Sequence, residues 1–257
     1  MSRSICVACA GRIVLQSREA SVRRLTNQLS SNRTRYPAMY RLISGLSLCA
    51  SCLEKLPVIG AAICWQCGRE QETEELCQDC HKLTEETLQS NRSLLRYNQW
   101  GKDLLSMYKY RGEERLAVLY AKLLAIAVLR YHQVTSFDCI APVPLHDQRL
   151  QERGFNQVDL LAGRLGAEMG VPVRALLHRT KRTAKLSQQT GRSAREESMD
   201  GAFSWAGERL GQAKAGSYRI LLLDDIYTTG STLRSCARTI REHAGSLCDI
   251  YSVTIYR

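Results

Sequence analysis

At 257 residues the chain suits one α/β domain of ordinary size plus a smaller module, with ample length for a packed core. Its formal net charge of +11 favours polyanionic partners, nucleic acid foremost, although a soluble protein can also simply be basic. No apolar stretch is long enough to cross a bilayer, and the start MSRSICVACAGRI lacks the apolar region of a secretory signal, which excludes a membrane span and points to a cytoplasmic protein.

Eight of the eleven cysteines fall into four CxxC pairs: Cys6/Cys9, Cys49/Cys52, Cys64/Cys67 and Cys77/Cys80. In a cytoplasmic chain such pairs bind metal more readily than they form disulfides. Two pairs close one tetrahedral thiolate site with no open position, the pattern of one or two structural Zn²⁺ ions. Cys64/Cys67 with Cys77/Cys80 is the tightest arrangement and leaves Cys6/Cys9 to join Cys49/Cys52; an interleaved pairing is equally compatible with the spacing. A redox dithiol at Cys64-Trp65-Gln66-Cys67 is the competing reading, and four pairs within eighty residues speak against it. His81 could replace a thiolate or stand beside the site. Cys139, Cys236 and Cys248 lie in apolar surroundings and read as core.

The stretch from Gln16 to Leu48 is a long connection rich in arginine, with Arg18, Arg23, Arg24, Arg33, Arg35 and Arg41. It suits either a nucleic-acid backbone or a partly helical solvated spacer. Charge is local: residues 1 to 60 hold nine Lys/Arg against two Asp/Glu, and residues 61 to 88 hold two against seven. We therefore place a Cys-rich zinc-binding module at residues 1–90 and a second domain at 91–257.

From Leu94 the pattern becomes that of a compact α/β domain. Leu104, Leu105 and Tyr108 lead to Lys109-Tyr110-Arg111-Gly112-Glu113, and Arg115 to Arg130 reads as an amphipathic to buried helix. Phe137 to Val143 reads as a strand. Arg149 and Arg153 follow it, and Gly154-Phe155-Asn156-Gln157 opens another helix; arginines and backbone amides beyond a strand end suit pyrophosphate. A second basic run holds Arg179, Lys181, Arg182, Lys185, Arg192 and Arg195 without an acid. The aromatics Tyr97, Trp100, Tyr108 and Tyr110 suit either base stacking or the core.

The most informative segment is Arg219 to Thr232, RILLLDDIYTTGST. The unbroken apolar run Ile220 to Leu223 is that of a parallel strand buried on both faces, whose carboxyl end is where an open α/β sheet binds its ligand. Asp224 and Asp225 emerge there as paired acceptors suited to the vicinal hydroxyls of a ribose. Thr228, Thr229, Ser231 and Thr232 then supply hydroxyls, with the permissive Gly230 between them, at the start of a helix carrying Leu233, Cys236, Ala237 and Ile240, a cradle for phosphate. Gly245 stops that helix.

The string closely resembles the 5-phosphoribosyl 1-pyrophosphate (PRPP) motif of type I phosphoribosyltransferases. The order of cysteine knuckles, KYRGE, PVPL, RLQERGFNQ, a basic loop, GAF and LLLDDIYTTGST resembles the ComF family over nearly the whole chain. That resemblance implies a type I phosphoribosyltransferase-like parallel sheet with helices on both faces and a small N-terminal zinc module. It also implies a role in DNA uptake during natural transformation, acting on single-stranded DNA beside a helicase partner. Carried onto this sequence, Asp224 and Asp225 would hold the ribose hydroxyls, Tyr227 to Thr232 the 5-phosphate, and Arg149, Arg153 and Asn156 the pyrophosphate with Mg²⁺. Arg179 to Arg195 would be the loop that closes over the site, with Lys185 a candidate for stabilising the leaving group. Ser198 stands where the family often has asparagine. Arg23, Arg24, Arg33, Arg35, Arg179, Lys181, Arg182 and Arg192 are the candidate nucleic-acid contacts. Phosphoribosyl transfer to a nucleobase or amine, or PRPP sensing without turnover, are the alternatives.

Overall fold

A computed structural model describes residues 5–30, 35–83, 87–111, 114–132, 137–180, 201–211, 213, 216–244 and 248–257. Its centre is a four-stranded parallel sheet of β1 (Ser90–Leu95), β6 (Cys248–Tyr256), β5 (Tyr218–Ile226) and β2 (Cys139–Pro142), in that spatial order. A separate antiparallel pair joins β3 (Leu177–Arg179) to β4 (Phe203–Trp205). The buried run Ile220 to Leu223 forms the middle of β5, as its unbroken hydrophobicity requires of a strand covered on both faces.

Alternation along β5 divides the core in two. Leu221 and Leu223 join Val253 and Ile255 of β6 on the face covered by α5 (Gln99–Arg111), α6 (Glu114–Tyr131) and α8 (Gln157–Met169). Ile220 and Leu222 join Ile250 of β6 on the other face, covered by α9 (Ser231–Ala244) through Leu233, Cys236, Ala237 and Ile240. Those four residues recur at helical spacing and are all at most 1% exposed. The helix ends at Ala244, immediately before Gly245, and Gly245 lies outside the described residues. Cys139, Cys236 and Cys248 are buried in this second core.

The arginine-rich stretch before Leu48 is two helices packed on each other, α1 (Leu15–Leu29) and α2 (Tyr36–Ser44), followed by the short α3 (Ala50–Glu54). Arg18, Val22, Leu25 and Leu29 form the buried stripe of α1 at the spacing of one helical face. Arg18 is 7% exposed, and its guanidinium donates to the carbonyls of Leu48 (2.7 Å), Ser44 (2.9 Å), Leu46 (2.5 Å) and Ile43 (3.3 Å). One planar fork thus satisfies the carbonyls at the carboxyl end of α2, where the helix leaves acceptors without intrahelical partners. Arg18 is therefore structural, not a surface contact. Tyr108, which sequence alone left open between stacking and core, is fully buried and donates from its hydroxyl to the Gln157 carbonyl at 2.8 Å. The side chain of Tyr110 lies outside the described residues.

Replacing Arg18 with methionine keeps the packed stem but strips the donors from those carbonyls, so stability should fall by roughly 2–4 kcal/mol. Arg23→Ala, on the exposed side of the same helix, should leave Tm unchanged. Urea and thermal unfolding of the two variants check this; equal midpoints would refute the structural role of Arg18.

Candidate metal centres and anion-binding crevice

Two four-cysteine clusters form, Cys6/Cys9/Cys49/Cys52 and Cys64/Cys67/Cys77/Cys80, with all sulfurs of each cluster within 4.8 Å of one another. The sequential pairing holds and the interleaved one does not. Within the clusters Cys9 Sγ and Cys49 Sγ are 3.7 Å apart, as are Cys67 Sγ and Cys77 Sγ. A disulfide needs about 2.05 Å. The edge of a tetrahedron of thiolates held at about 2.3 Å from zinc is roughly 3.8 Å, so the donor set fits that ion.

The clusters are built as a repeat. In the first knuckle of each, an antiparallel bridge brackets the turn, Ile5 with Arg12 and Ile63 with Glu70. The hydrogen bonds are equivalent too: Cys6 N–H to Gly11 O and Cys64 N–H to Arg69 O, both 2.8 Å, then Ala10 N–H to Cys6 O and Gly68 N–H to Cys64 O at 2.9 and 3.0 Å. The residue closing each knuckle is left-handed, Ala10 at φ 57° and Gly68 at φ 68°. In the second knuckle the leading cysteine caps a short helix, Cys49 before α3 and Cys77 before α4 (Gln78–His81). The first ribbon carries α1 and α2 as an insertion between its halves, whereas nine residues separate the halves of the second. His81 is exposed and belongs to neither cluster, so it is a bystander.

In each cluster one sulfur is favoured as the thiolate, Cys6 in the first and Cys67 in the second, while Cys9, Cys52, Cys77 and Cys80 are pushed up by burial and by their neighbouring sulfurs. Burial would raise the Cys6 thiol, but backbone N–H groups of Cys49, Cys9 and Ala8 outweigh it and bring it to about 7. Cys67 is held at about 4, first by the Cys80 side chain and, against burial, by the Arg257 guanidinium.

The crevice arises where two parallel strands part company. β2 ends at Pro142, opposite Leu223, whereas β5 continues to Ile226 with only β6 beside it. Both aspartates therefore lie within the last turn of the strand pairing rather than beyond it, and the alternation of the strand sends them to opposite faces. Asp225 takes the side of α5 and forms an ion pair with Lys109 at 2.5 Å, both groups being largely buried. Asp224 takes the side of α9, accepts the Asp225 N–H at 2.8 Å, and lies in the field of Arg179, which in turn feels Arg149. Burial, reinforced by the charge of Asp225, pushes the Asp224 carboxyl up to about 7.

The turn after β5 is folded around its tyrosine. Tyr227 is buried beneath it, and Gly230 has φ +79° with the position of a Cβ only 2.1 Å from the Tyr227 hydroxyl. Glycine is thus required twice, for backbone sign and for space. Thr228 is exposed, Thr229 Oγ1 and Ser231 Oγ are 3.1 Å apart, and Thr232 is half-buried on the first turn of α9. Exposed and half-buried hydroxyls at a helix start suit a phosphate oxygen.

On the β2 side, α7 (Asp147–Arg153) carries Arg149 and Arg153, both half-buried, and Arg153 donates to Gln157 Oε1 at 2.9 Å. Asn156 serves first as the cap of α8, accepting from Val158 N–H at 3.1 Å, and it also lines a cavity of about 550 Å³ at the end of β2 with His146, Asp159, His178 and Arg179. Gln157 anchors the same corner, donating to the Lys109 carbonyl at 3.3 Å. Lys109 is the residue that sequence reasoning quoted within KYRGE without assigning it to the crevice.

Among the nucleic-acid candidates, Arg23 and Arg24 are exposed on α1 but paired with Glu19 (2.7 Å) and Glu54 (3.6 Å). Arg35 donates to the Leu129 carbonyl and so braces α2 against α6. Arg179 is half-buried over the Phe203 ring at 5.3 Å and lies within the field of Asp224, which places it with the crevice rather than with a surface run. Arg33, Lys181, Arg182, Lys185, Arg192, Arg195 and Ser198 lie outside the described residues.

The raised Asp224 carboxyl makes a stability prediction. Its native value of about 7 exceeds the reference of 3.8, so between those values the folded chain holds a proton the unfolded chain has released. The associated stability is complete below about pH 4 and is lost as pH rises to about 7. Asp224→Asn should match wild type near pH 4 and exceed it at pH 8 by on the order of 1–3 kcal/mol. Denaturant unfolding across that range decides the matter; parallel pH profiles would refute the strain assigned to Asp224.

Residues 41–81 match a family model described as a double zinc ribbon domain, which takes in three of the four knuckles. Competence protein ComFC of Bacillus subtilis (strain 168) is 30% identical over 240 residues, covering 90% of this chain and 92% of that protein. Competence protein ComFC of Streptococcus pneumoniae is 31% identical over 196 residues, 76% and 81% of the two chains. DNA utilization protein YhgH of Escherichia coli (strain K12) is 27% identical over 230 residues, 79% and 95%. Among solved structures, adenine phosphoribosyltransferase from Leishmania tarentolae is similar at 13% identity and a TM-score of 0.32, covering 53% of this chain and 70% of that one. With the cysteine ribbons, the parallel sheet and the acidic crevice all in place, the extent of this similarity makes the chain a member of the ComF family.

Proposed function

We propose that this protein is a ComF-type competence protein that binds PRPP, or a related sugar phosphate, at the Asp224/Asp225 crevice and handles single-stranded DNA during natural transformation. The observation that carries the reading is the crevice itself. Two carboxylates for sugar hydroxyls end a buried parallel strand, a hydroxyl-rich turn at a helix start follows, and Lys109, Arg149 and Arg179 gather on the other sides. A sugar flanked by phosphate and pyrophosphate matches that order of charge, with Mg²⁺ offsetting the pyrophosphate. The names of the relatives, competence proteins and a DNA utilization protein, support the DNA role.

In this reading the module of residues 1–90 and the domain of residues 91–257 divide the work. The ribbons and the exposed arginines Arg23 and Arg24 meet the nucleic-acid backbone, and the sheet domain holds the sugar phosphate; Arg33, Lys181, Arg182 and Arg192 are assigned to the same backbone. No helix among the described residues is long and apolar enough to cross a membrane. The protein works in the cytoplasm, beside a DNA-uptake helicase.

The test is fluorescence anisotropy of a labelled single-stranded oligonucleotide titrated with zinc-loaded protein at two salt concentrations, with and without PRPP and Mg²⁺. Binding should weaken steeply with salt, and Arg24→Ala should flatten the slope by about one unit. PRPP should alter the isotherm in wild type and not in Asp225→Asn, with PRPP affinity rising from pH 6 to pH 8 as Asp224 ionises. No binding at low salt would remove the DNA-handling role. Steady release of pyrophosphate with a nucleobase or amine would instead favour the transferase reading.

A further inference from the structure

Arg257, which follows β6, joins the second ribbon to the phosphate turn. Its backbone is fixed on both sides: its N–H donates to the Leu95 carbonyl at 2.9 Å, and its carbonyl accepts from Tyr97 N–H at 3.0 Å. From that anchor the guanidinium reaches in two directions. Toward the ribbon, Nε donates to the Cys67 carbonyl at 3.0 Å and Nη2 to Cys67 Sγ at 3.1 Å. Toward the turn, Nη1 donates to the Thr228 carbonyl at 2.9 Å, while the guanidinium lies over the Tyr227 ring at 4.8 Å.

Tyr227 is the post around which the turn is wound. Its hydroxyl fills the space under Gly230, and its N–H donates to Tyr256 O at 2.9 Å. Arg234 closes the far side, Nη1 to the Thr229 carbonyl at 2.9 Å. Cys67, Arg69, Tyr227, Thr229, Arg234 and Arg257 line one small cavity of about 120 Å³ between ribbon and turn. The ribbon is itself pinned to the sheet edge, with Asn91 N–H donating to Gln66 O at 2.7 Å and Gly68 packed so closely on the Asn91 carbonyl that a Cβ would lie 2.8 Å from it.

A planar fork that binds a metal-ligand sulfur with one nitrogen and a turn carbonyl with another couples the two only if both are in place. Outer groups that hydrogen-bond ligating sulfurs orient the ligands, and the constraint acts in both directions. We propose that Arg257 is a positioning residue through which the metal-loaded second ribbon orders the Tyr227–Ser231 turn, making the anion site dependent on an ion held by Cys64, Cys67, Cys77 and Cys80. The first ribbon, whose cluster makes no such contact among the described residues, carries no equivalent dependence. The inference deepens the sugar-phosphate reading, on which only its ligand-binding arm rests.

The experiment compares the full chain with Arg257→Met, Arg257→Lys, Cys80→Ser and Cys9→Ser. Three quantities are read: amide hydrogen exchange of the peptide spanning residues 224–234, bound zinc by colorimetric release, and PRPP affinity by calorimetry. Exchange in β5 before Leu223 serves as the control for global unfolding. Cys80→Ser and Arg257→Met should each speed exchange in the turn about tenfold and weaken PRPP by at least as much. Arg257→Met should keep the wild-type zinc content, Arg257→Lys should fall between wild type and Met, and Cys9→Ser should leave the turn as in wild type. A turn that stays protected in Arg257→Met or in Cys80→Ser overturns the coupling, and so does loss of zinc from Arg257→Met, which would make the arginine part of the metal site alone. If wild type does not bind PRPP, the ligand reading fails while the exchange data still decide the coupling.

Discussion

The crevice exists because β5 outlasts β2. Parallel strands share hydrogen bonds on both edges only as long as both continue, and here the pairing on one edge stops at Pro142 opposite Leu223. Beyond Leu223 the strand keeps β6 as its sole partner among the described residues, so two aspartates remain geometrically fixed on a strand paired along one edge. The last bond across the β2 edge is from Val143 N–H to the Leu223 carbonyl at 2.9 Å. A rigid strand end holds charge at a definite position without the entropy a loop would lose on binding, which is why open α/β sheets place ligands there.

Fixing two carboxylates in one place is electrostatically costly, and the surroundings show how the cost is shared. The pleat separates them, giving Asp225 the ion pair with Lys109 and leaving Asp224 to the fields of Lys109 and Arg179, which burial and the Asp225 charge outweigh. The result is an asymmetric pair, one member ion-paired and the other, raised to about 7, divided between its protonated and ionised forms near neutral pH. A polyhydroxyl ligand that donated to both would release that frustration, the kind of stored strain that functional sites carry.

Much of this was written in the primary structure. The run Ile220 to Leu223 announced a doubly covered strand, the DDIYTTGST string the turn at its carboxyl end, and the helical spacing of Leu233, Cys236, Ala237 and Ile240 the helix behind it; each is a local pattern and local patterns survive in sequence. What was hidden depended on distance or on disguise. Lys109 meets Asp225 across more than a hundred residues, a contact no periodicity encodes. α1 was disguised because Arg18 occupies a position of its apolar stripe, so a helix with a buried face looked like a polar spacer. Asn156 and Gln157, conspicuous within GFNQ, are engaged in capping and anchoring α8, and Arg179, counted with a basic surface run, lies within the field of Asp224.

The two ribbons show the same logic at the level of the fold. Their knuckles share hydrogen bonds, a left-handed closing residue and a cysteine-capped helix, yet they sit in different mechanical settings. The first, with α1 and α2 inserted, packs into the core formed by α6, and the second shares a core with α9 and the far face of the sheet. Small metal-held units have little hydrophobic core of their own, so each takes its rigidity from what it is docked upon. The second ribbon docks along the edge strand β1 at Asn91, and Arg257 at the end of β6 links it to the turn that follows β5. A repeat of one metal-binding unit thus acquires two unlike settings, bracing a helical insertion in one copy and bordering the turn after β5 in the other, from position alone.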